Sequence, residues 1–157
     1  MNKRYISLLL CISLFGNTIL AQMQNGQMSP PELNAVEKAG IKKYDADRIV
    51  KKLKIDDDSI KMEITKHVEH YNQEMDHLLV LHSNELKDLE SEFDRNVKIA
   101  MQNRDKSQLN GTKARIERII PPIRTEVQKH TELLIGAFEE LLTEKQYQKC
   151  LKYFQSF

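Results

Sequence analysis

Between Ile60 and Ala100 apolar side chains return at every third or fourth position: Ile60, Ile64, Val68, Tyr71, Met75, Leu79, Leu86, Leu89, Phe93, Val97 and Ala100, with His82 taking one place in the series. The mean step is about 3.6 residues, the period of one face of a straight α-helix. A coiled-coil seam would repeat at about 3.5. Asp56, Asp57 and Asp58 precede the run, and acids at a helix start complement its positive end. One helix is therefore predicted from Asp57 to about Arg104, roughly 70 Å long at 1.5 Å per residue. A helix of that length in a 157-residue chain implies an elongated molecule.

A second apolar series runs through Ile116, Ile120, Ile123, Val127, His130, Leu134, Phe138 and Leu141. It predicts a return helix. Asn110-Gly111 is the turn signal between the two. Pro121 and Pro122 interrupt the return helix, and proline removes a helical hydrogen bond and restricts the residue before it, so a kink or break is expected near Ile120. Upstream, Ser29, Pro30 and Pro31 read as the cap and first turn of a short helix from Glu32 to Ala39, closed by Gly40. A further short helix covers Ala46 to Leu53. No strand pattern is evident. The expected fold is all-α: an elongated helical hairpin with a long central helix, short N-terminal helices and a kinked return helix. One return helix leaves part of the long apolar stripe uncovered, and a second copy packed antiparallel would bury it, so a homodimer is expected.

The first residues have a different character. Lys3 and Arg4 precede the apolar stretch YISLLLCISLFGNTIL, and Ala21 is the small residue before a cut. Residues 1–21 read as a secretory signal peptide, 22–30 as a flexible tether and 31–157 as a single helical domain. The product is expected in the periplasm or outside the cell. No other apolar run approaches the ~20 residues that span a bilayer. Without Lys3 and Arg4, 22 basic residues face 23 acidic ones, a net charge of −1, which argues against a nucleic-acid partner. Cys150 is the one cysteine left after cleavage, so no disulfide framework within the chain is expected. It reads as a small buried side chain beside the Tyr147, Leu151 and Phe154 stripe of a last helix.

That last helix opens on Leu142, Thr143, Glu144, Lys145 and Gln146. Thr143 is a good N-cap, and Gln146 three positions on can reach back to the Thr143 backbone N–H, the reciprocal arrangement of a capping box. The sequence is also an L-T-x-x-Q motif. A degenerate counterpart stands where the long helix opens, with Ile55 for the Leu, Asp56 for the Thr and Ser59 in place of the Gln. With a signal peptide ahead and helices in this order, residues 42–157 resemble the periplasmic Spy/CpxP-like proteins, named for repeated L-T-x-x-Q motifs. The double proline departs from that family's pattern. The resemblance implies an ATP-independent chaperone or envelope-stress adaptor, acting as a helical dimer whose concave face binds unfolded or partner proteins. A structural interaction module with no client role, docking to a membrane sensor, is a separate reading.

Charge gives that expectation a location. Arg95, Lys98, Arg104, Lys106, Lys113, Arg115, Arg118, Arg124 and Lys129 surround the predicted turn, opposed by Asp105, Glu117 and Glu126. Arg104, Lys113, Arg115, Arg118 and Arg124 are the candidate client-binding residues, since a basic patch attracts acidic, partly unfolded chains over short range. A merely solvated helix face is the bland account. A first basic block lies in IKKYDADRIVKKLK, with six Lys or Arg against Asp45 and Asp47. Glu63, His67, His70, Glu74 and His77, spaced by four, three, four and three residues, line one helical stripe. Imidazole with carboxylate suits Zn, Ni or Cu, so a metal sensor or buffer on the same hairpin is the alternative function. A closed ligand shell would need groups from a second helix, and no cofactor is expected. His82 and His130 fall on the apolar stripes and could pair across the hairpin or, for His82, with Glu85. No nucleophile elbow, phosphate loop or metalloprotease motif occurs, so an enzyme is not expected.

Overall fold

The computed structural model describes residues 30–155. The signal-peptide and Ser29 cap assignments, with most of the tether, lie outside the described residues. Five α-helices and no strand are present among them: α1 Ala35–Lys38, α2 Ala46–Leu53, α3 Asp58–Asn103, α4 Gln108–Leu141 and α5 Glu144–Gln155. No helix is long and apolar enough to cross a membrane among the described residues.

Local chemistry sets the element ends. The Asn34, Asp45 and Asp57 side chains accept from backbone N–H groups at the starts of α1, α2 and α3, replacing partners that a helix start lacks. The short α1 thus begins later than the Glu32 expected. Gly40 closes it with φ at +79°, and Ile41 N–H donates to the Val36 carbonyl. Lys54 repeats this closure after α2 at φ 56°, with Ile55 N–H on the Val50 carbonyl. In both cases an apolar pair, Ile41 with Val36 and Ile55 with Val50, accompanies the left-handed residue, as in a Schellman ending.

The reversal falls earlier than Asn110-Gly111. Arg104 is left-handed at φ 50° and Asp105 N–H reaches the Ala100 carbonyl. The Asp105 carboxylate then accepts from the Ser107 backbone at 2.9 Å and its hydroxyl at 2.7 Å. This Asx-type turn stops α3 without a glycine, and those bonds hold the Asp105 carboxyl below the usual carboxylate range. Asn110 and Gly111 are already inside α4. Nor does the chain break at the double proline, which sits within α4. Pro121 and Pro122 are both exposed, whereas Ile119, Ile120 and Ile123 are buried. The carbonyls that lose their helical donors thus belong to the wet side of the helix, where water can serve them.

Ten side chains of α3 from Ile64 to Ala100 are buried, and the cover comes from within the chain. α4 returns antiparallel, with Tyr71 opposite Thr131, Glu74 opposite His130, Glu92 opposite Arg115 and Asn96 opposite Thr112. The N-terminal segment also lies along α3. Ala35 N–H donates to Glu90 at 2.7 Å, Lys43 meets Asp76 at 2.6 Å, and the Asn72 amide both accepts from Tyr44 N–H and donates to its carbonyl. Arg124 donates to the Lys38 carbonyl from the other side. Beside Asn72 an aromatic cluster joins four elements: the Tyr44 ring lies 5.1 Å from Tyr71 and 4.7 Å, edge-on, from Phe154, and Phe154 packs on Phe138 and Tyr153. The stripe therefore finds its cover without a second copy, and the packing reason for expecting a dimer falls away.

Two measurements probe this packing. Gly111 and Gly136 lie within α4 with open space where a Cβ would stand, while Gly40 needs its positive φ. Gly111→Ala and Gly136→Ala should each raise unfolding free energy by roughly 0.5–1 kcal/mol and Gly40→Ala should lower it, as read by urea titration. Burial also raises the Cys150 thiol from its ordinary 9.0 to about 12, and raises the Tyr44 and Tyr71 phenols. Their contribution is complete below the unfolded-state pKa values and is lost as pH rises past them. Stability should therefore decline above about pH 9, and Cys150→Ala should remove the earliest part of the decline.

Candidate functional surface

The turn end of the hairpin gathers cations by simple proximity in sequence. Arg95 and Lys98 stand on the last turns of α3, Arg104 and Lys106 in the reversal, and Lys113 and Arg118 on the first turns of α4, all exposed. Lys113 approaches Glu117 at 3.9 Å, four residues along its own helix. No ion pair involves Arg95, Lys98, Arg104, Lys106 or Arg118 among the described residues. Such charges keep their hydration and act outward over about a Debye length, ~8 Å at physiological salt.

Two of the candidate binding residues have other work. Arg115 is not simply solvated: its guanidinium pairs with the Glu92 carboxylate, whose side chain is 17% exposed. Glu92 also accepts from the buried Thr112 hydroxyl, and Thr112 accepts from Asn96 at 2.7 Å. This polar cluster stitches α3 to α4 and satisfies a buried hydroxyl that would otherwise cost free energy. Arg124 serves the backbone of α1, through the 2.6 Å bond to the Lys38 carbonyl. The sign of the charge at Arg115 and Arg124 was visible in the sequence. Their partners, 23 and 86 residues away, were not.

The five residues proposed as metal ligands do not assemble. Glu63 lies 3.5 Å from Lys66 and Glu74 is turned across the hairpin to His130 at 3.9 Å. His70 and His77 are exposed and His67 is half-buried. Among the described residues no three His, Cys, Asp or Glu side chains form a group able to hold a metal ion. His82 stands between Glu85 at 3.8 Å and Glu126 at 4.0 Å, with a buried Nε2 that lacks a hydrogen-bond partner.

Leu142, Thr143 and Gln146 form a local joint between α4 and α5. Gln146 Oε1 accepts from the Thr143 N–H at 3.1 Å and from the Thr143 hydroxyl at 2.7 Å. The Gln half of the capping box is thus in place, but the Thr hydroxyl donates to Gln146 instead of receiving from the helix backbone. Leu142 is buried against the core. Cys150, two turns further, is buried, as its sequence position suggested.

No family model, curated protein or solved structure matches the chain.

Arg115 and Arg118 distinguish structural from outward-facing charge. Arg115→Glu should cost about 3 kcal/mol in urea unfolding, because it removes one partner of a half-buried pair and sets two carboxylates together. Arg118→Glu should stay within about 0.5 kcal/mol of the parent.

Proposed function

We propose that the protein is an exported, ATP-independent binding protein for unfolded or partner proteins, of the chaperone-like or envelope-stress adaptor kind, and that the turn end of the hairpin makes first contact. The observation that carries this reading is the set of exposed cations Arg95, Lys98, Arg104, Lys106 and Arg118 without carboxylate partners among the described residues. They project from two long helices whose register is held by the Glu92, Arg115, Thr112 and Asn96 cluster. Charge presented at the tip of such a support speeds encounter with acidic segments, and apolar contact then sets residence time. Val80, Leu81 and Leu133, each more than 60% exposed, offer apolar surface on the same two helices. The L-T-x-x-Q motif at Leu142 to Gln146 supports the same reading through family resemblance. A sensor protein with an acidic periplasmic face fits this surface as well as an unfolded client does. Because the helical unit covers its own stripe, the proposal needs no second copy.

The test leaves Arg115 and Arg124 intact, since both hold the fold. Arg104→Glu/Lys106→Glu/Arg118→Glu should preserve the circular dichroism spectrum. It should slow stopped-flow capture of an acidic unfolded client by about tenfold at low salt, and the difference should vanish near 1 M salt, where the Debye length is ~3 Å. Capture at the parent rate in low salt would defeat the proposal.

A further inference from the structure

The first basic block of the sequence becomes half of a larger surface at the opposite end of the hairpin. Arg48, Lys51 and Lys52 lie on α2, and Lys54 follows it. Arg48 and Lys52 are four residues apart, so they share one helix face. α5 packs against α2 there, and Lys52 Nζ lies 4.9 Å from the centre of the Tyr153 ring. On α5 the residues Lys145, Lys149 and Lys152 fall at steps of four and three, again one face, and Lys149 is one turn from Tyr153. All seven cations are exposed.

Acids are few here: Asp47 is the one acid of α2 and Glu144 the one acid of α5. No Asp or Glu occurs within residues 48–54 or 145–155, and no ion pair involves any of the seven among the described residues. Lys43, Lys61, Lys66, Lys113 and Arg115 each face a carboxylate, so the α2–α5 face shares its lack of ion pairs with the turn end and not with these positions. Like charges one turn apart destabilise a helix, and Asp47 and Glu144 offset that repulsion only in part. An anion from outside would relieve the rest.

We propose that the α2–α5 face docks electrostatically on an anionic phospholipid surface. Three features select that partner. Six of the seven cations are Lys, a hydrated point charge suited to many scattered headgroups, and Lys is depleted from protein–protein interfaces. The large apolar side chains that stand exposed among the described residues, Met62, Val80, Leu81, Met101 and Leu133, all lie on α3 or α4, so this face has no apolar anchor of the kind that centres a protein interface. Tyr153 and Phe154 are buried in the core cluster, which leaves them unable to stack on nucleic-acid bases. Each Lys or Arg held near an anionic leaflet adds to binding, and the attraction fades within a Debye length. Counted from Tyr71, beside which Tyr44 and then Tyr153 pack, the turn end is about 50 Å away along α3, so docking here is independent of client capture there, and either can fail without the other.

The probe is vesicle co-sedimentation of the full mature chain, with phosphatidylcholine vesicles compared with vesicles that also contain phosphatidylglycerol. Binding is expected only to the anionic vesicles, with loss near 1 M salt. Lys51→Glu/Lys149→Glu/Lys152→Glu should lower the partition coefficient by about tenfold or more. These positions spare Lys52 on its ring and Lys54 in its left-handed turn. If circular dichroism shows that the Glu variant does not fold, Lys51→Gln/Lys149→Gln/Lys152→Gln serves instead, with a smaller loss expected. Arg104→Glu/Lys106→Glu/Arg118→Glu should bind vesicles like the parent. Equal binding to neutral vesicles, parent-like binding by the platform variants, or loss on changing the turn end alone would overturn the proposal. So would displacement of the vesicles by a DNA duplex at matched charge concentration, which would assign the face to nucleic acid.

Discussion

Tyr44 is held by both its backbone and its ring, and the arrangement of the N-terminal segment depends on that double hold. The Asn72 side chain takes the Tyr44 N–H and carbonyl together, replacing the ladder partner that an extended residue would find in a sheet. Its ring meets Tyr71 of α3 and Phe154 of α5, and Phe154 meets Phe138 of α4. A segment of irregular backbone can lie against a long helix only when its polar groups are paired and its side chains reach the core. Here Asn72 supplies the first and the aromatic cluster the second. α1 and α2 are then carried to either side, along the groove that would otherwise expose the apolar stripe of α3.

Much of the helical layout was legible because it rests on short-range rules. Ala46–Leu53 and the span of α3 follow from an acid at the cap and a 3.6-residue apolar period, both visible within a few residues. The reversal was misplaced because Asn-Gly is the stronger generic signal, while Arg104 and the Asp105–Ser107 bonds do the turning. The prolines left open a kink or a break, because their neighbours' exposure was unknown and exposure decides whether freed carbonyls are costly; the helix continues through them. Leu78 was absent from the expected stripe yet is buried. A helix covered by two neighbours buries a wider face than one lining a single seam.

The charged surfaces were legible as composition and not as pairing. Nine cations around the turn could be counted, but Arg115 belongs to Glu92 and Arg124 to the Lys38 carbonyl. Both partners are distant in sequence and chosen by packing. The candidate metal stripe failed for a related reason: the helical spacing was right, yet Glu74 faces His130 on the other helix. Lys145, Lys149 and Lys152 share one face of α5, and it is the fold that sets this helix beside α2.

Among the described residues, the hydrogen bond of the N-terminal segment to α3 that lies nearest the tip is that of Ala35 on Glu90. From Glu92 to Arg104, α3 has its polar contacts with α4. The two halves of the hairpin are thus secured to different depths, one by several elements and an aromatic core, the other by a single neighbour and a polar stitch. Sub-global opening follows such differences in buried contact. On that footing the turn end should open before the aromatic end does, and its amides should exchange with solvent sooner.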